Sequence, residues 1–448
     1  MQQPYQSHKY HFISSLLVLL LIGIGSIAYG QAGRPVDSLK TDSLKKSKAE
    51  IKEMHPRSYN VNKQYDFSDL TRNLFHPHRK PDTLKKRSAV TIVPNISANP
   101  TIGFQGGIKA VAGTKLGDDP STLLSTGASS ATITTKGIIF FYLNHNIFTP
   151  GNRWNFQGNF TISKTAVPDE GLGIGNGHFS NDKDEQTLAD PTHKVYGIHS
   201  IFFNLREKAY KKVAKNLFLG AGLSFDVRKN ISNKDSTGHS TPSGVYNTEH
   251  GLPKTSSSSN GFLFNVEYTT RDNPNRAYTG VYFDAGVRVN QTWIGSSKNA
   301  VQFTTDIRKY ISLSAVDPET VIALWNWGSY LGSGTLPYLD LPGSARDVSF
   351  RSARGYTATY FKGTKYNDTE AEFRFPLLAN KFVSGVVFGN LQTANDEQGT
   401  KLFQVFQPGY GAGLRILFNK VTRTNLALDY AFGKFNNKGF FLNLNEAF

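Results

Sequence analysis

The strongest constraint in this 448-residue sequence lies after about residue 88, where segments of about ten residues alternate apolar and polar positions between turn residues. Residues 279–290 show what the alternation demands. Val281, Phe283, Ala285, Val287 and Val289 share one face, while Gly280, Tyr282, Asp284, Gly286 and Arg288 share the other. A soluble sandwich would not bury the second set, whereas a membrane barrel gives lipid the first set and a hydrated lumen the second. Residues 262–268 repeat the pattern, with Phe262, Phe264, Val266 and Tyr268 outward and Asn265 and Glu267 inward. Residues 425–433 place Leu426, Leu428, Tyr430 and Phe432 outward and Asn425, Ala427, Asp429 and Gly433 inward.

The segmentation predicts an all-β, transmembrane antiparallel barrel of sixteen strands. The first eight are 89–95, 101–112, 121–134, 136–147, 153–163, 195–206, 215–228 and 260–270. The second eight are 278–290, 300–312, 320–329, 367–377, 382–390, 409–419, 423–433 and 438–448. Connection lengths give an independent check, because one rim of such a barrel carries short turns and the other long loops. The long connections 164–194, 229–259, 330–366 and 391–408 all follow odd-numbered strands, and the short ones 148–152, 271–277 and 420–422 follow even-numbered strands.

Ahead of the barrel, Lys9 and flanking histidines precede an apolar run from Phe12 to Ala28 that ends in small residues, the pattern of a secretory signal over residues 1–30. Ala28 and Gly30 predict cleavage near Gln31, in preference to a retained anchor. Residues 31–87 are polar and lysine-rich, which predicts a disordered periplasmic linker before a barrel over 88–448. The net charge of +16 would suit nucleic acid, but export removes the chain from it. With no cysteine, disulfides, thiol-ligated metals and a lipidated amino-terminal cysteine are all excluded.

Four features of the last third carry a family likeness. Arg354-Gly355-Tyr356 lies in the long connection before predicted strand 12, and Ala371-Glu372-Phe373-Arg374-Phe375-Pro376 lies on that strand. Gly411-Ala412-Gly413-Leu414-Arg415 falls on predicted strand 14, and the last strand ends in Phe448. Thr270-Arg271-Asp272-Asn273 before Gly280 resembles a short inner turn of the same group. Together they resemble the BamA/TamA-like family of outer-membrane assembly and translocation barrels, whose carboxy-terminal half is the bacterial surface antigen domain.

The resemblance implies that Arg354 folds into the lumen and pairs with acidic residues on strands 12 and 13. Glu370, Glu372 and Arg374 share the inward parity of strand 12, which makes Glu372 the first-choice partner, while Asn390 stands where an acid is expected on strand 13. Arg415 and Asp429 face inward on neighbouring strands and are expected to form a wall ion pair. Phe448 is expected to end a targeting strand with Phe440, Leu442 and Leu444 on its lipid face and Glu446 near the rim. Gly433 and Gly439 flank the last hairpin, where glycine would weaken a seam.

The implied location is the outer membrane of a Gram-negative-type cell, and the implied role is protein or lipid insertion or translocation; the alternative is a passive channel or surface-binding barrel. Expected partners are outer-membrane lipid and, through residues 31–87, unfolded outer-membrane proteins or periplasmic factors. Those residues are too few and too polar for the periplasmic transport-associated domains of other members.

No enzyme is expected, because the sequence has no G-x-S-x-G elbow, no H-E-x-x-H helix and no P-loop, and no cofactor is implied. His76 and His78 lack further ligands nearby. Gly171, Gly173, Gly175 and Gly177 suit turn chemistry better than a phosphate cradle. Asp182, Asp184 and Glu185 lack the spacing of a calcium loop.

Overall fold

The computed structural model describes residues 64–75, 88–99, 103–119, 121–175, 197–233, 241–314 and 317–448. The chain divides into two units, Met1–Ser58 and Tyr59–Phe448, and every described residue belongs to the second. The signal peptide, His76 and His78, the Asp182–Glu185 cluster and most of the linker lie outside the described residues. No described helix is long and apolar enough to cross a membrane, which says nothing about strands.

Alternation yields sixteen antiparallel strands. β1 is interrupted, with segments Ser88–Pro94 and Ser97–Asn99 that keep one register against β2 (Gly103–Thr114). There follow β3 (Ser125–Thr134), β4 (Ile139–Phe148), β5 (Trp154–Pro168), β6 (Gly197–Ala214), β7 (Leu217–Asn233) and β8 (Ser257–Thr269). The second half comprises β9 (Gly280–Asn290), β10 (Ala300–Ser312), β11 (Val321–Gly334), β12 (Lys365–Pro376), β13 (Val383–Ala394), β14 (Gln407–Asn419), β15 (Thr424–Gly433) and β16 (Lys438–Leu444). Each strand pairs with the next, and among the described residues β16 returns to β1 through one register pair, Phe440 with Ala98.

The period-2 reading holds at side-chain level. Along β9, Tyr282, Asp284, Gly286, Arg288 and Asn290 are buried, whereas Val281, Phe283, Ala285, Val287 and Val289 stay partly open on the outer face. Phe104, Ile108, Ile133, Ile162, Leu219, Phe264, Phe303, Tyr410 and Leu414 are exposed on other strands. So much outward apolar surface suits lipid and would be a liability in water.

Several boundaries depart from expectation: β5, β7, β11 and β13 run past their expected ends to Pro168, Asn233, Gly334 and Ala394. β3 begins at Ser125 instead of 121. β6 runs 18 residues to Ala214 and β7 begins at Leu217, so the lysine-rich stretch after Arg206 is strand. Tyr210 is fully buried there, while Lys211, Lys212, Val213 and Ala214 are exposed. Strands that project past the bilayer carry charge without penalty, so the lysines mark a rim and not a strand end.

The expected disorder of residues 31–87 fails at one place, where Phe67–Phe75 forms helix α1. Asp66 accepts from the Asp69 amide at 2.9 Å and Asp69 from the Asp66 amide at 3.2 Å, a reciprocal cap on the first turn. The same carboxylates hold α1 to the short turn between β14 and β15: Lys420 donates its ammonium to Asp69 at 2.6 Å and its amide to Asp66 at 3.1 Å. Phe67 stacks on Phe418 of β14 at 4.4 Å.

Candidate functional site

The connection between β11 and β12, residues 335–364, brings its Arg-Gly-Tyr step among buried carboxylates of the barrel wall. Arg354 donates from Nη2 to Glu370 at 3.0 Å and also to Glu372, and from Nη1 to Asp429 at 3.0 Å. Its guanidinium lies 3.7 Å from the centre of the Phe388 ring. A planar fork with several donors is the one side chain that can satisfy carboxylates on two strands at once. Burial alone would lower the pKa of the Arg354 guanidinium, but Glu372, Glu370 and Asp429 outweigh it and hold the proton more tightly than usual.

Asn390 contributes through its amide, which donates to the Arg354 carbonyl at 2.8 Å. The acid that the resemblance expects on strand 13 is supplied from β15 instead, by Asp429. Asp429 also accepts from Arg415 at 2.5 Å, so the expected wall pair is one link in a larger network.

Gly355 has φ +106°, and a Cβ there would meet the Phe432 carbonyl at 2.5 Å, so glycine is required by both backbone and space. The chain then delivers Tyr356, whose hydroxyl donates to the Pro408 carbonyl at 2.6 Å and accepts from the Lys434 amide at 2.8 Å. A Cβ on Gly433 would meet the Tyr356 ring at 2.6 Å. Gly433 therefore makes room for the loop tyrosine.

The last residues correct the sequence reading most. Lys438, Phe440 and Leu442 keep the outer parity of β16, but Leu444 is fully buried against Val93 and Val111. Asn445 has φ +68°, and beyond it the chain turns into the lumen. Glu446 is buried, not at the rim: it accepts from Arg415 at 2.6 Å and lies 3.2 Å from Arg276. Phe448 packs on Trp325 with ring centres 5.0 Å apart, and its carbonyl accepts from Arg374 at 2.9 Å. Arg374 also donates to Glu372 at 2.6 Å, which closes the network back to Arg354. Arg415, on a strand with no acid, and Arg276, in the connection between β8 and β9, were the available signal for an inward Glu446.

The glycine run is ordered where it is described. Gly171, Gly173 and Gly175 all have positive φ, Leu172 and Ile174 between them are buried, and the Gly173 amide donates to the Lys362 carbonyl at 2.6 Å. A cavity of 380 Å³ lies in the lumen on the side of β2 to β11, bordered by Lys109, Arg206, Asp226, Arg308, Arg351 and Glu446.

A closed strand cycle with an apolar outside and a charged inside that grips one of its own loops defines an outer-membrane β-barrel. Residues 123–448 match the Omp85 superfamily domain, and the chain belongs to that superfamily. No sequence match was found among curated proteins. Among solved structures, BamA from Haemophilus ducreyi lacking POTRA domains 1–3 superposes with a TM-score of 0.50 at 12% identity, over 81% of this chain and 71% of that one. CdiB from Escherichia coli gives a TM-score of 0.50 at 9% identity, over 82% of this chain and 63% of CdiB. At such identities the likeness is one of fold. No additional folded domain precedes the barrel among the described residues.

Proposed function

We propose that this barrel assists the insertion or translocation of proteins or lipid at the outer membrane, with the junction of β16 and β1 as its working part. The observation that carries the reading is the junction itself. Among the described residues β16 meets β1 at one register pair, whereas β9 and β10 share eleven. The Ser88–Pro94 half of β1 is in register with β2 alone. A strand edge with unpaired amides and carbonyls is a template for another strand, so an incoming barrel strand has a place to add.

The contents of the lumen argue against a steady passive pore. Among the described residues, the 335–364 loop and the segment after Leu444 both occupy it, beside the 380 Å³ cavity. Expected clients are unfolded outer-membrane proteins, and the surrounding lipid is the second partner. The test is the folding of a small unfolded barrel into liposomes with and without this protein. Faster folding in its presence supports the proposal; unchanged folding together with steady ion conductance overturns it in favour of a channel.

A further inference from the structure

On the loop side, away from the Arg354 network, helix α2 (Pro242–Glu249) ends beside the connection between β13 and β14. His250 follows α2 directly. Its Nδ1 lies 2.9 Å from the Tyr246 carbonyl, which can only accept, so the proton sits on Nδ1. The imidazole also stacks on the Tyr246 ring at 4.0 Å, which fixes its plane. Nε2 is thereby turned toward Oε1 of Glu397 at 3.0 Å. Glu249 and Glu397 are exposed and His250 is half-buried, so an ion in solution can reach all three side chains.

Glu249 completes the group: one ligand atom from each of Glu249, His250 and Glu397 lies within 4.8 Å of the others. Around a tetrahedral zinc ion with bonds of about 2.0–2.2 Å, donor atoms sit roughly 3.3–3.6 Å apart, a spacing that small side-chain rotations reach here. An imidazole donating its second nitrogen to a backbone carbonyl is the usual support of a metal-bound histidine. Both arms are held in advance. The Tyr246 hydroxyl donates to the Leu336 carbonyl at 3.0 Å, and Asp396 accepts from the Gln398 and Thr400 amides at 3.0 and 2.8 Å, which shapes the turn carrying Glu397.

The geometry points to a binding site for a divalent transition cation of the zinc class, formed by Glu249, His250 and Glu397, that clasps two surface loops over the barrel mouth. One nitrogen and two carboxylates favour zinc or cobalt over calcium or magnesium, which take oxygen alone. A water fills the fourth position. The site does not depend on the proposed insertion role.

The test is titration of the full chain, in detergent and stripped with chelator, with Zn²⁺ by calorimetry and with Co²⁺ by visible absorption. One equivalent should bind with a tetrahedral cobalt spectrum, excess Ca²⁺ should not displace it, and His250→Ala and Glu397→Gln should each weaken binding at least tenfold. The heat-modifiability midpoint of each variant without metal should match the unsubstituted chain, showing that folding is intact. Binding as tight in His250→Ala, or no zinc binding with only a protonated His250–Glu397 pair, would overturn the assignment.

Discussion

Arg351 donates from Nη2 to the carbonyl of Leu444 at 2.7 Å and from Nη1 to the carbonyl of Glu446, so the long loop holds the end of the strand that closes the barrel. Three residues further on, Arg354 reaches the same segment indirectly, through Asp429, Arg415 and Glu446. Loop and seam therefore act as one unit. Replacing Arg351 with Met removes two charge-assisted hydrogen bonds without touching the wall network. Amide exchange in residues 442–446 should rise at least tenfold, with β9 and β10 unchanged; unchanged exchange in 442–446 would show that the loop does not restrain the seam.

Arg354→Ala leaves Glu370, Glu372 and Asp429 buried without their shared partner, and breaking a buried pair in this way costs about 3–5 kcal/mol. Arg354→Lys keeps the charge but cannot fork to two strands, so it should recover under half of that loss. Unfolding midpoints in denaturant, read by heat-modifiability on gels, would decide. Equal stability for all three proteins would mean the network contributes nothing to holding the loop.

Tyr356 and Gly433 provide a cleaner test of the same docking. Gly433→Ala puts a Cβ into the Tyr356 ring, and Tyr356→Ala empties the space that Gly433 leaves. Each single change should cost about 1–3 kcal/mol, and the double variant should cost less than their sum. Strict additivity would deny the contact.

Lys362 sets a pH dependence. Burial lowers its ammonium to about 8, with Asp169 and Glu170 pulling the other way and Arg346 adding to the effect. It lies 4.1 Å over the Tyr338 ring. Because the folded value lies below the ordinary 10.5, the unfolded chain binds more protons between those limits. The penalty is complete below about 8 and fades as pH rises, so stability should climb from pH 8 to 9.5. Lys362→Met should flatten that slope and be no less stable at pH 7; a slope that survives the substitution would assign it to other groups.

The barrel was legible because its code is local. Parity along β9 or β15 needs only neighbours in sequence, and the sixteen segments follow from it together with the turn residues. Rim features were less legible: Lys208, Lys211 and Lys212 look like a strand end until the strand is known to leave the bilayer. Helix α1 was hidden for a related reason, since a helix this short gains its stability from Lys420 and Phe418, far away in sequence. In the site, the inward parity of Glu372, Arg415 and Asp429 could be read, but not that Arg354 would reach across to β15. Phe448 was misread because alternation through Leu444 continues on paper, whereas the chain bends at Asn445 to satisfy Arg276, Arg374 and Arg415 with Glu446.

The central claim is that the β16–β1 junction opens, and the absence of cysteine permits a direct test. Cysteines placed at Ala98 and Phe440, the pair that closes the cycle among the described residues, form a reversible lock. In liposomes, the reduced protein should accelerate folding of a small unfolded barrel as the unsubstituted chain does, and the oxidised protein should not. Equal acceleration with the disulfide fully formed would contradict the account.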